Sequence, residues 1–460
     1  MARQTLDPRT GNASERLRSI LVENRQGQPL GVYSICSANR FVLETGMLQA
    51  KRDGSILLIE STSNQVNQFG GYTGQTPADF VRHIYEMARE SEFPQDRIVL
   101  GGDHLGPHVW RNEPSRAAMQ KACTLVGDYI RAGFTKIHLD ASMRCADDEG
   151  DRQKPLPDEL VSARAAQLCA AAERAYQELR LDVAPPLYVI GTEVPTPGGG
   201  LMGSHAPAVT NTDDLARTLQ LSREALRTSS LEDAWERVIA VVVQPGVEFG
   251  DAAVLPYEAA NARALSQYVV NHWSGVYEAH STDYQTEGAL RSMVHDHFAI
   301  LKVGPWLTFT FREAVFALEE IEKEWLSSRS GVQLSGVHEA LERAMLDNPV
   351  HWKGYYQGRE AELRFSRKYS YSDRARYYWP EPYVAEALHQ LILNLDRRPP
   401  PISLLSQYLP NQAEAVRNGS LVSRPAHLIR NKILEVIDRY AYACGCGDST
   451  IPQTESRNAT

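Results

Sequence analysis

A chain of 460 residues with 43% hydrophobic and 23% charged residues can bury a large core, as two domains or as one large domain with an appendage. A net charge of -9 without a basic stripe argues against nucleic acid as a partner. The polar start MARQTLDPRTGNASE and the absence of a long apolar run argue against a signal peptide or a membrane span, so a soluble, cytoplasmic protein is expected.

In chain order, short apolar and β-branched runs recur, each followed by a stretch with helical spacing. The expected strands are Gly31–Cys36, Ile56–Glu60, Ile98–Gly102, Lys136–Asp140, Leu187–Glu193, Val238–Gln244, Gly275–His280 and Phe298–Val303. Between them, Thr76 and Pro77 read as N-cap and first residue of a helix whose Phe80, Ile84, Met87 and Ala88 share a face. A second helical stretch, rich in alanine, covers Ser162–Leu179.

Eight strands alternating with helices fit either a closed (β/α)8 TIM barrel or an open doubly wound sheet. Polar residues favour the barrel: Ser37, Glu60, Asp103, His104, Asp140, Glu193, Gln244, His280 and Lys302 all fall at or near strand C-terminal ends. Only a barrel gathers all such ends at one mouth. The expected division is an N-terminal segment 1–27, a barrel 28–325, a helical C-terminal extension 326–446 and a disordered tail 447–460.

Asp, Glu and His are costly to bury together unless they share protons or a cation. His104 and His280 with a carboxylate such as Glu193 suit a divalent metal with open positions. Asp103 and Asp140 are then the acid–base candidates, and Lys302 could neutralise a substrate oxygen or form a Schiff base if desolvated. No dinucleotide or P-loop fingerprint is present, which disfavours nicotinamide or ATP chemistry.

Several loops have two readings. Residues 191–200, GTEVPTPGGG, are a simple turn-rich loop or a lid over the mouth. Residues 61–74, STSNQVNQFGGYTG, are a surface turn or an amide-rich loop whose Asn64, Gln65, Asn67 and Gln68 bind a sugar. The glycines around Asp103 and His104 read as room for that sugar to approach. In SYSDRARYYWP, residues 370–380, Arg374 and Arg376 would hold a phosphate if the segment is extended, or be solvated on an aromatic helix. The scattered cysteines fit a reducing compartment, and Cys444-Gly445-Cys446 is a weak metal or redox motif.

The ordered motifs IESTSNQVNQFGGYTG, GGDHLGP, GFTKIHLDAS, VIGTEVPTPGG, VVVQPGVEF, VYEAHSTDYQT, HFAILKVGP and YSDRARYYW resemble the D-tagatose-1,6-bisphosphate aldolase non-catalytic-subunit family over roughly residues 28–445. Members of that family are also called tagatose-6-phosphate kinases, and some are recognised as D-tagatose 6-phosphate 4-epimerases. The resemblance implies a class II aldolase-like barrel. It matches Asp103 to an acid–base aspartate, and His104 and His280 to metal-ligating histidines. The strand-six histidine ligand of class II aldolases is replaced by Gln244, which moves the third-ligand expectation to Glu193. A kinase activity finds no nucleotide cradle here.

Epimerising C4 of a 2-ketohexose cannot proceed by simple enolisation, because the C4 proton is not adjacent to the carbonyl. Retro-aldol cleavage and re-addition would achieve it, with a divalent ion (Zn, Mn, Ni, Co or Mg) holding O2 and O3 and with Asp103 and Asp140 or Glu193 exchanging the hydroxyl proton. Glu60, Ser61, Asn64, Gln65, Gln244, Asp283 and Lys302 are the expected substrate contacts. The leading expectation is thus a metal-dependent 4-epimerase interconverting D-tagatose 6-phosphate and D-fructose 6-phosphate, an isomerase and a homo-oligomer. The second is a non-catalytic subunit stabilising a partner aldolase, and the third an aldolase that releases trioses.

Overall fold

The computed structural model describes residues 11–151, 154–179, 183–191 and 207–446. Eight parallel strands close into a barrel: β1 (Val32–Ile35), β2 (Leu57–Thr62), β3 (Ile98–Leu105), β4 (Lys136–Leu139), β5 (Leu187–Ile190), β6 (Val238–Val242), β7 (Val276–Ala279) and β8 (Phe298–Val303). Each pairs with its sequence neighbours, and β1 closes onto β8 through Val32 opposite Ile300 and Ser34 opposite Lys302. The expected (β/α)8 barrel is the observed fold, with every expected barrel strand present.

Strand ends differ where side chains serve the backbone. The sixth strand stops at Val242 rather than Gln244, and the fifth at Ile190, where Gly191 takes a left-handed φ of +81°. An additional antiparallel pair, Glu248–Phe249 with Val254–Leu255, follows β6. Two-residue strands are too short to show alternation, so nothing in the sequence marks them.

The barrel interior is layered by the two-residue period of its strands. Val32, Leu58, Val99, Leu187, Val276 and Ile300 form an apolar floor. Leu17 and Leu21 of the helix Ala13–Arg25 close that floor from below. The helix is set by a capping box in which Asn12 accepts from Glu15 N–H and the Glu15 carboxylate accepts from Asn12 N–H. This helix is a packed plug at the floor of the barrel. Leu17 is fully buried, so Leu17→Ala is expected to cost about 2–5 kcal/mol in urea unfolding. A loss below about 0.5 kcal/mol, the range of surface substitutions, would show that the plug is not packed.

Around the barrel, the helix Pro77–Glu90 begins as its sequence suggests, with Thr76 as N-cap and Asp79 completing the box. Past Leu326 the regular structure of the described residues is helical. The last of these helices, Pro425–Ala443, returns to the barrel: Arg430 pairs with Glu44 at 2.6 Å, and Gly31 N–H donates to the Cys444 carbonyl. Cys444 is buried, Cys446 half-buried, and neither belongs to a metal-binding set among the described residues. No helix of the described residues is long and apolar enough to cross a membrane. The segment 447–460 and all of the loop 191–200 beyond Gly191 lie outside the described residues.

Candidate functional site

Two residues beyond the apolar floor, the same strand faces turn charged. Ser34, Glu60, Gly101, Glu278 and Lys302 follow Val32, Leu58, Val99, Val276 and Ile300, and β4 adds Lys136. Lys136 Nζ lies 2.6 Å from Glu60 Oε1 and 2.7 Å from Glu278 Oε2, with all three side chains fully buried. Lys302 Nζ lies 2.5 Å from Glu60 Oε2, 3.0 Å from Asp103 Oδ1 and 3.8 Å from Glu278 Oε1. The triad of Glu60, Asp103 and Glu278 could hold a metal by spacing alone, but it surrounds the Lys302 ammonium instead. Burial opposes that charge, yet Asp103, Glu60 and Glu278 hold the amine well above its ordinary range. The ammonium is paired with three carboxylates, an arrangement that disfavours the Schiff-base alternative for Lys302.

One layer higher, at the mouth, Asp103, His104, His138 and His280 bring candidate ligand atoms within 4.8 Å of one another. The imidazole centroids are 4.9 to 5.5 Å apart. His104 Nδ1 bonds Asp140 Oδ2 at 2.8 Å, and its Nε2 faces Asp103 Oδ2 at 4.0 Å. Burial opposes protonation of His104, but Asp103 and Asp140 lift it to about 9. His280 is pushed the other way, to about 4, chiefly by burial, while its Nε2 contacts Glu278 Oε1 at 3.0 Å. His138 Nε2 donates to the Gly191 carbonyl at 2.9 Å, and its Nδ1 meets Asp103 Oδ1 at 3.1 Å. The His104 amide also donates to His138 Nδ1 at 3.3 Å, so this imidazole ties Gly191 to the β3 bulge and packs directly against Asp103.

Adjacent residues on a regular strand face opposite sides, yet both Asp103 and His104 reach this cluster. The register between β3 and β4 slips between Gly102 and Leu105, and His104 takes a φ of +47°. The bulge turns the imidazole onto Asp140. Such a φ is uncommon outside glycine, and strain of this kind persists only where the surroundings over-determine it.

The glycines of this stretch make room for the protein, not for a sugar, which corrects the expectation above. A Cβ on Gly101 would meet Glu60 Cγ at 2.6 Å, and one on Gly106 would lie 1.6 Å from the Asp140 carbonyl oxygen. Gly106→Ala is expected to displace Asp140 and to cost at least about 1–3 kcal/mol by overpacking. A soluble variant with an unchanged melting temperature would refute the close approach.

Other expected contacts are likewise committed to structure. Ser61 points away from the cluster and shares a hydrogen bond with Tyr129 Oη. Asn64 is exposed. Gln65 Oε1 accepts from Thr62 N–H, Asn67 bonds the Ser63 carbonyl and the amides of Phe69 and Gly71, and Gln68 donates to the Lys121 carbonyl. The amide-rich loop thus spends its side chains pairing buried backbone groups. Gln244 Oε1 accepts from Gly246 and Val247 N–H, so it shapes a turn. Asp283 accepts from Gly304 and Trp306 N–H, and burial raises its carboxyl to about 6. Asp140 accepts from Ser142 N–H and Oγ as well as meeting His104. Glu193 lies outside the described residues.

Lys136, His138 and Glu278 belong to the site but were not anticipated. Their signal was alternation: Lys136, His138 and Asp140 in KIHLD, and Glu278 with His280 in VYEAH, fall two apart on one face. Arg374 and Arg376 sit in neither an extended segment nor an α-helix, but in the short 3-10 turn Arg374–Tyr377 of the C-terminal extension.

Comparison with known proteins follows this geometry. The family model described as D-tagatose-1,6-bisphosphate aldolase subunit GatZ/KbaZ-like matches residues 17–445. The D-tagatose-1,6-bisphosphate aldolase subunit GatZ of Salmonella newport (strain SL254) is 47% identical over 429 residues, 93% of this chain and 99% of that protein. A crystal structure of a probable tagatose 6 phosphate kinase from Sinorhizobium meliloti 1021 is 42% identical and superposes with a TM-score of 0.81, covering 90% of this chain and 100% of that one. The expected epimerase, an isomerase, is corrected by these findings: the matched family and the 47%-identical relative are described as subunits of an aldolase, which is a lyase.

Proposed function

The chain belongs to the GatZ/KbaZ-like family of D-tagatose-1,6-bisphosphate aldolase subunits, and from this we propose that it is the stabilising, non-catalytic subunit of such an aldolase, associating with a separate catalytic chain. The observation that carries the reading is the end-to-end match to a protein described as an aldolase subunit, 99% of which is covered.

The barrel interior supports it. Gln244, where a class II aldolase is expected to place a histidine ligand, is turned to the backbone. Asp140 directs both carboxylate oxygens at neighbouring residues, leaving neither aimed at a substrate hydroxyl. Lys302 and Lys136 balance the carboxylates around them. This is the charge economy of a barrel held together by its interior, and it suits binding better than turnover.

The mouth fits a divalent cation. His104 and His280 would hold it with Asp103 as the anionic ligand, and His138 would orient Asp103. A nitrogen-rich set favours zinc, cobalt or nickel over magnesium. Such an ion supplies Lewis-acid polarisation of a ligand oxygen when bound.

The test is co-expression with a class II D-tagatose-1,6-bisphosphate aldolase chain from the same source. Co-elution on gel filtration, with a several-fold gain in the partner's activity or half-life, is the expected result. Triose release from the bisphosphate by this chain alone, or no association, would overturn the reading.

A further inference from the structure

The C-terminal extension contributes two arginines to the rim of the barrel that form no ion pair among the described residues. Arg374 is only 6% exposed, and Arg376 and Tyr377 are half-buried. Arg374 Nη1 donates to the His351 carbonyl at 3.0 Å, and its Nε has no hydrogen-bond partner. Arg376 donates to the carbonyls of Ser372 and Asp373, and through Nη2 to Tyr377 Oη at 3.0 Å. Both guanidiniums bear on that phenol and hold it below its ordinary range against the effect of burial.

The nearby carboxylates are engaged elsewhere. Asp373 is bonded by Arg312 and Thr308 at 2.9 and 2.7 Å, and Asp283 by two backbone amides. Each still interacts with the charge of Arg376.

The turn that carries the arginines is held rigidly. Asp373 adopts a left-handed φ of +43°, and its buried pair with Arg312 fixes it to the helix Pro305–Leu326. Aromatic rings wall the pair. The Arg374 guanidinium lies over Tyr355, His351 stacks on Tyr377 at 4.6 Å and 11°, and Tyr72 meets Tyr377 edge-on at 4.7 Å.

Tyr72 comes from the loop after β2, and Asp283 lies three residues beyond His280. The arginines therefore border loops that leave the same end of the barrel as the histidine cluster. A buried and a half-buried guanidinium without a direct ion pair among the described residues are costly, and their planar forks match phosphate oxygens.

We propose that Arg374, Arg376 and Tyr377, walled by Tyr72 and His351, form a binding site for the phosphate monoester of a sugar-sized ligand, whose carbon chain extends towards the His104–His280 mouth. The site does not depend on the subunit reading, because a silent subunit can carry it.

Calorimetric titration of the full chain tests the proposal, using D-tagatose 6-phosphate, D-tagatose and inorganic phosphate as probes. The phosphate ester is expected to bind at least about tenfold more tightly than D-tagatose, with inorganic phosphate competing. Arg374→Gln and Arg376→Gln are each expected to weaken the ester by about 10–100-fold, the range for a lost charged hydrogen bond. Melting temperature checks that the variants are folded. If Arg374→Gln does not fold, Arg376→Lys and Tyr377→Phe serve in its place. Arg376→Lys keeps the charge but loses the fork, so an intermediate loss is expected, and Tyr377→Phe removes one hydroxyl contact. Equal binding of D-tagatose and its phosphate, or unchanged binding by a folded Arg376→Gln, would overturn the proposal. Inorganic phosphate binding as tightly as the ester would overturn the sugar-phosphate assignment.

Discussion

Lys136→Met is expected to lower the unfolding free energy by about 3–5 kcal/mol, the cost of removing one partner from a buried ion pair. Lys136 is the fully buried cation between Glu60 and Glu278. Its contact with Glu60 is an aligned hydrogen bond, while Glu278 Oε2 has only the ion pair. Without the lysine, Glu60, Asp103 and Glu278 would be left to share Lys302. The double variant Lys136→Met/Glu278→Gln removes one charge of each sign, so it is expected to recover at least half of the loss. Urea unfolding of both variants checks this. A single-variant loss below about 1 kcal/mol, typical of an exposed pair, would mean that the interior charges are not coupled as the distances imply.

The second large effect concerns the mouth. Zinc added to metal-stripped protein at about 100 times its dissociation constant is expected to stabilise the fold by about 2.7 kcal/mol. His104→Ala or His280→Ala should abolish that gain. His138→Ala should weaken zinc by about 10–100-fold, the usual penalty for losing a residue that orients a ligand. Isothermal titration with zinc separates these outcomes. Retained affinity in His104→Ala would remove the mouth cluster from consideration as a metal site. Zinc binding that survives every histidine change would do the same.

Much of the architecture was legible because it depends on short-range rules. Eight apolar runs, each followed by a helical pattern, lead to a parallel α/β sheet, and the polar residues at the strand ends favour its closure into a barrel. Asp103, His104 and His280 could be picked out because ionisable groups at the ends of apolar strands are unusual. Lys136, His138 and Glu278 were overlooked because reading only strand ends ignores the two-residue period that carries a polar face down into the barrel. The amide-rich loop and Gln244 show another limit. A polar side chain near a site can bind a ligand or pair a buried backbone group, and composition does not distinguish the two. The activity shows a similar limit: residues suited to carbon–carbon bond chemistry were read as an epimerase, whereas whole-chain similarity leads to an aldolase subunit.

By itself, then, the sequence determined the barrel, its strand order and the face on which acids and imidazoles collect, since alternation and helical period are properties of neighbouring residues. Tertiary structure decided which of those groups meet. The bulge after Gly102 and the positive φ of His104 let adjacent residues reach one cluster, which a regular pleat forbids. Closure of β8 onto β1 places Lys302 within reach of Glu60, 242 residues away along the chain. Packing of the C-terminal extension brings Arg376 and Tyr377 against Tyr72. Such encounters depend on register, closure and packing between distant segments, and no local pattern of residues encodes them.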